Sequence, residues 1–257
     1  MLTPEQIQSN WQQFEFNIKH YIKGERADKL WAFYKKYEER FILLPASHKP
    51  QYHNCFPGGY IEHVNRVVSA SIEIDKIWRQ FEVKDTYTLE EVVFSALNHD
   101  LGKFGSLEHE AVLPNPSEWH VKNRGEIYTF NTQLDYMTVP DRGLWLLNQL
   151  GIEISKNEYL AIKLHDGLYD ESNKPYLISW APETKLRTSL PYIIHQADLL
   201  AARVEFEREN LDKFNTTPVD KPKLITSTST YVKPKQISLD SIAPNANLKN
   251  IMDTFFE

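Results

Sequence analysis

Cysteine is almost missing from this chain: Cys55 is the only one in 257 residues. No internal disulfide and no cysteine-based zinc cluster can be built from it, and the usage fits a reducing compartment. Glycine is also scarce, with nine residues, which disfavours sheet-rich folds full of tight turns. No apolar run approaches the roughly 20 residues that span a bilayer. The opening MLTPEQIQSNWQQF lacks a basic stretch followed by an apolar one, so no secretory signal is expected. Positive charge is not in excess either. A formal net charge of −6 predicts a surface that repels nucleic-acid backbones as a whole, leaving room for a local basic patch but not for a broad duplex-binding face. These absences together predict a cytoplasmic protein without membrane association.

What is present is ordinary for a globular chain, with 41% hydrophobic and 25% charged residues. The length suggests one domain of roughly 200 residues and an extension. Six tryptophans, thirteen tyrosines and thirteen phenylalanines can fill a core of packed amphipathic helices. Helix signals recur along the chain. Thr3-Pro4-Glu5 is an N-cap followed by proline and opens a helix to about Lys23. Leu30, Phe33, Tyr34, Tyr37 and Phe41 mark one amphipathic stretch from about Arg26 to Leu44. Gly58-Gly59 leads into a helix from Tyr60 to Phe81, and Thr88 with Glu91 forms a capping box before VVFSALNHD. Ser155 with Glu158 forms another before YLAIKLH, and Pro191 lies near the start of a long final helix. The best strand candidate is YLISW, Tyr176 to Trp180. From about Asn215 the chain turns rich in Thr, Ser, Pro and Lys, as a linker or extended arm does. The expected fold is all-α: a helical bundle over 51–212, an N-terminal helical segment 1–50 packing on it, and a mostly irregular extension 213–257 closed by a short apolar helix.

The strongest chemical signal is His99-Asp100, at the end of an apolar helix and followed by Leu101-Gly102-Lys103. An imidazole and a carboxylate side by side offer one neutral nitrogen and one charged oxygen, a pair suited to a borderline divalent metal. Adjacent helical residues diverge by roughly 100°, so both reach one ion only near a helix end or bend, where Gly102 is expected to supply conformational freedom. His63 lies one turn into the helix opened by Gly58-Gly59. Asp198 sits inside the apolar run of the last helix, where a carboxylate is costly unless paired or metal-bound.

In order, GGYIEH (58–63), NHDLGK (98–103) and HQAD (195–198) resemble the H…HD…D signature of the HD superfamily of metal-dependent phosphohydrolases. The similarity runs from about His53 to Glu209. It is closest to the Gly-Gly-x-x-x-His subset, which includes 3′-to-5′ exoribonucleases and many bacteriophage proteins. EWHVKNRGE, MTVPDRG and AIKLHDGLYD look similar to phage-borne members. The resemblance implies the HD helical bundle, with His63, His99, Asp100 and Asp198 ligating one metal. A second ion, bridged by Asp100, would add His120 and His165, although His120 can equally cap a helix and His165 bind phosphate. The implied cofactor is one or two divalent ions: Mn, Fe, Mg, Co or Ni. His109 and His195 are further candidates, His195 as a residue orienting Asp198, and Asp166 reads as a neighbour of the ligand His165. The implied chemistry is attack by a metal-activated hydroxide. Asp100 takes part through the metal, Lys103 is the first choice for the cation that offsets transition-state charge, and Arg124 is the second. Glu110 and Glu126 are candidate proton donors.

The substrates so implied are a nucleotide, a cyclic nucleotide or a short single-stranded RNA. Two other readings use the same residues: a di-iron oxygenase with six ligands, and a non-catalytic module that senses a nucleotide. A homo-oligomer is compatible with either. If the chain is phage-borne, its compartment is the host cytoplasm. In the tail, Met252, Phe255 and Phe256 would share one face of a helical turn. Residues 248–257 resemble peptides that grip a sliding clamp, with Lys249 in place of the usual glutamine, and the alternative is that they fold back on the chain or on a second subunit.

Overall fold

The structure, a computed structural model, describes residues 2–214, with side chains described as far as residue 210. Met1–Glu209 form one compact unit, so the first fifty residues share a single core with residues 51–209. The second unit, Asn210–Glu257, starts inside the last helix. The arm and the apolar close at Met252, Phe255 and Phe256 lie outside the described residues.

The architecture is all-α. Helix α1 (Pro4–Tyr21) starts on a complete capping box in which Thr3 and Gln6 satisfy each other's backbone N–H groups. Helices α2 (Gly24–Lys36) and α3 (Glu38–Leu43) follow. The single stretch expected from Arg26 to Leu44 is broken at Tyr37, whose φ of −111° and ψ of 25° leave the helical region. The break lets Phe33 and Phe41 both reach Phe104, with ring centroids 5.4 and 4.6 Å apart. Helices α4 (Gly59–Gln80) and α5 (Leu89–Asn98) pack on each other and on α1. The capping boxes of Thr88 and Ser155 form as expected, at α5 and at α8 (Lys156–Lys163). Helices α6 (Glu118–Arg124), α7 (Val139–Gln149), α9 (Lys174–Leu177) and α10 (Leu190–Phe214) complete the helical set.

YLISW is not a strand: its first two residues end α9, and Trp180 is 89% exposed. The strands among the described residues are β1 (Val112–Pro114) and β2 (Tyr128–Phe130), paired antiparallel with Val112 opposite Phe130. Three residues each and split by α6, they carry too little alternation to be read from sequence. No helix among the described residues is long and apolar enough to cross a membrane.

Two features fix the turn after α5. The Arg40 guanidinium lies 3.8 Å from the Phe104 ring centroid and donates to the carbonyls of Phe104 and Ser106 at 3.1 and 3.0 Å. On the other side, α7 passes so close to Gly102 that a Cβ there would lie 2.0 Å from the Val139 carbonyl oxygen. Gly102 is therefore demanded by close packing, not by an unusual backbone angle, which corrects the expected role.

Candidate metal centre

Four elements converge. Helix α4 brings His63, the end of α5 brings His99 and Asp100, the turn after α8 brings His165 and Asp166, and α10 brings Asp198 and Glu205. His63 is placed by the double glycine. Gly58 caps α4 with a φ of +86°, and a Cβ on Gly59 would meet the Asn54 carbonyl oxygen at 2.2 Å. His99 keeps helical angles as the cap of α5, while Asp100 leaves them at φ −103°, ψ 11°. This bend turns both side chains inward, as the adjacency of the two residues required.

The spacing fits an ion. His63 Nε2 is 3.1 Å from Asp198 Oδ1, 3.6 Å from Asp100 Oδ2 and 3.3 Å from His99 Nε2. His99 Nε2 is 3.4 Å from Asp100 Oδ2 and 3.7 Å from Asp198 Oδ1. Most of these separations are long for hydrogen bonds. These five histidine–histidine and histidine–carboxylate separations are close to the edge of about 3.4 Å that a tetrahedron has when each ligand stands about 2.1 Å from a central metal. Two imidazoles and two carboxylates form a donor set suited to borderline divalent ions. On the far side, His165 Nε2 faces Asp100 Oδ1 at 3.6 Å. The two Asp100 oxygens thus look toward different histidines. His165, Asp166 and Asp198 make a further group able to hold an ion.

Each inward ring nitrogen is aimed by a bond on the opposite side of its ring. His63 Nδ1 is 3.0 Å from Glu205 Oε2, which fixes it as the donor to that carboxylate. Glu205 is itself fully buried and held by Arg66. His99 Nδ1 bonds the Ala96 carbonyl and His165 Nδ1 the Ile162 carbonyl, both at 2.8 Å. Such outer partners set the tautomer and orientation of metal-binding histidines.

The electrostatics point the same way. Burial works against a charge on His63, but Glu205 and Asp198 outweigh it and lift its pKa to about 10. Burial likewise opposes a charge on His165, and Asp100 and Asp166 raise it to about 9. Burial would raise Asp100, yet Lys103 and His99 hold it well below the usual carboxylate range. Against the same burial, His63, His99 and His165 depress Asp198. The Asp100 and Asp198 carboxylates stay ionised inside the protein, and His63 and His165 carry compensating protons.

Not every residue picked from sequence arrives. His120 is in none of the groups able to hold an ion among the described residues; its Nδ1 meets Ser117 Oγ at 2.7 Å, at the first turn of α6. Arg124, at the other end of α6, lies over the Trp119 ring, 5.4 Å from its centroid. Glu110 pairs with Arg40 at 3.2 Å, and Glu126 faces Arg124. His109 is exposed in a turn. His195 orients not Asp198 but the His165 carbonyl, at 2.7 Å. Lys103 does arrive, 2.5 Å from Asp100 Oδ2 and lining the adjacent cavity.

Glu205, Asp166 as part of a donor group, Arg142 and His53 were not legible as site residues in the sequence. The His53 ring lies 4.7 Å from that of His63, and burial, then the neighbouring His63, pushes its pKa down to about 4. A carboxylate two turns after Asp198 on the same apolar helix was the available signal for Glu205. Comparison of the chain with known protein families, with curated proteins and with solved structures returns no match.

Proposed function

We propose that this chain is a metal-dependent hydrolase, and within that class a phosphohydrolase of the HD superfamily. It would cleave a phosphoester or phosphoanhydride in a nucleotide, a cyclic nucleotide or a short single-stranded RNA. The observation that carries the reading is the donor set of His63, His99, Asp100 and Asp198, drawn from three separated motifs, with the two histidines 3.3 Å from each other and 3.1–3.7 Å from the two carboxylates, beside a cavity lined by Lys103.

These four residues would hold the ion, with His165 and Asp166, which group with Asp198, available for a second. A divalent ion there supplies a water of lowered pKa and polarises the phosphoryl oxygens. The remaining work falls to the chain. Glu205 and the Ala96 carbonyl keep the two imidazoles facing inward. Lys103, its side chain 26% exposed, reaches both the cluster and the cavity, so its ammonium can offset charge gathering on a phosphoryl group. Burial opposes its charge, but Asp100 keeps it protonated well into the alkaline range. The position of His120 against Ser117 favours this reading over the six-ligand di-iron oxygenase.

The test is a panel of nucleotides, cyclic dinucleotides and short RNAs assayed with Mn²⁺, Mg²⁺, Fe²⁺ and Co²⁺. Activity should require the metal. Lys103→Ala should lower kcat by about 10²–10³-fold, as loss of one transition-state contact does, while metal affinity changes little. Phosphatase activity that survives complete chelation, or equal turnover by Lys103→Ala, overturns the assignment.

A further inference from the structure

Beside the metal cluster lies a cavity of about 340 Å³, within the size range of small-molecule sites. In a chain of net charge −6, its described lining contains no carboxylate. The ionisable nitrogen side chains that line it are His48, His53, Lys103 and Arg142. Arg142 donates to the carbonyls of Gly102 and Asp135 at 3.3 and 3.0 Å, and no carboxylate among the described residues lies within ion-pair distance of it. The buried Nε2 of His48 has no hydrogen-bond partner in the protein, although buried polar atoms are normally paired, whereas Nε2 of His53 stands 3.9 Å from Glu205 Oε2. Phe130 packs one side against His48 at a centroid distance of 4.1 Å and is still 61% exposed. Tyr52, 52% exposed, lines the same cavity.

We infer that this cavity is a subsite for a second nucleotide unit, so that the scissile phosphate at the metal centre joins two nucleotides of a short single-stranded oligonucleotide. The inference rests on the phosphohydrolase reading and names its substrate. The chemistry divides along the wall. Arg142 and the His48 imidazole offer N–H groups to one phosphate. Phe130 and Tyr52 offer aromatic faces to a base, whichever base it is, because every base has a stacking face. A lone phosphate needs the nitrogens but not the aromatic rings. The cavity adjoins the cluster through Lys103, which lines it and contacts Asp100. With so few cations, binding depends on stacking more than on charge.

The measurement is calorimetric binding to the full chain with Mn²⁺, using a phosphorothioate-linked, 5′-phosphorylated dinucleotide, AMP and ADP as probes. The dinucleotide should bind at least about tenfold more tightly than AMP or ADP, the gain expected from one stacked base. Phe130→Ala should erase most of that gain and leave affinity for AMP and Mn²⁺ unchanged. Arg142→Gln should lower the salt dependence of dinucleotide binding by a log–log slope of about 0.7, the share of one phosphate contact on a single strand. Equal affinity for the three probes, or an equal loss for AMP and dinucleotide in Phe130→Ala, overturns the subsite. Arg142 also braces the Gly102 turn, so Phe130→Ala is the decisive variant should Arg142→Gln not fold. These are binding results. A chain that binds the dinucleotide preferentially but hydrolyses nothing refutes the phosphohydrolase reading and leaves the subsite standing.

Discussion

The two sides of the candidate metal cluster are built differently. On the α4–α5 side, His63 and His99 are fully buried, and each ring is anchored behind, His63 by Glu205 and His99 by the Ala96 carbonyl. Glu205 is braced in turn by Arg66 from the next turn of α4. On the other side His165 is anchored too, but Asp166 has a side chain 43% exposed and faces His165 from 3.7 Å. A ligand whose rotamer is locked by folding loses no further freedom when an ion arrives, whereas an exposed side chain must be ordered at that moment. The buried side would therefore hold an ion more tightly, and the exposed side would be the adaptable one.

The largest expected effect breaks both sides at once. His99→Ala or Asp100→Ala should abolish stoichiometric metal binding and activity while circular dichroism stays helical. An ion retained by either variant would refute the centre itself. Glu205→Gln sharpens the contrast by loosening only the buried side: affinity for the first ion should fall by about 10–100-fold, measured by competition with a chelator. An unchanged affinity would reduce Glu205 to a packing role. Asp166→Asn probes the opposite side and should remove a second, weaker equivalent of Mn²⁺ while leaving the first intact. If titration finds two ions in that variant, the exposed side does not depend on Asp166.

The smallest effect is that of pH. The raised pKa values of His63 and His165, about 10 and about 9, mean that protons occupy the ligand nitrogens of the metal-free chain at neutral pH. Metal binding must expel them, so affinity should rise with pH, by up to about tenfold per unit for each proton released. The sign reverses for the metal-free fold. Protonation of His63 stabilises it fully below its unfolded pKa near 6.5, and that stabilisation is lost as pH climbs toward about 10. Metal affinity that is flat from pH 7 to 9 would show that the imidazoles are already neutral.

Much of the helical scaffold is legible locally. The N-cap at Thr3 and the capping boxes at Thr88 and Ser155 fall where the sequence puts them, because a cap is an interaction between residues three apart. His99-Asp100 at a helix end is likewise local. The misreadings share one cause. His120 and Arg124 stand at plausible distances along the chain, but α6 is held by Ser117 and by the strands on either side of it, and its side chains stay outside the cluster. Arg142 appears as an ordinary polar residue on an amphipathic helix, and only the approach of α7 to Gly102 brings it to the cavity wall.

By itself the sequence determined an all-α chain, the ends of several helices, and the identity of four converging residues: His63, His99, Asp100 and Asp198. Tertiary structure alone decided that Glu205 and Arg66 brace one of those residues, that Asp166 rather than His120 joins the far side, and that the described cavity wall carries bases without acids. The reason is range. Caps and periodicity are set by neighbours within one or two turns, whereas a ligand set and a cavity wall depend on contacts between residues far apart in the chain, such as His63 with Glu205, which exist only once the helices have packed.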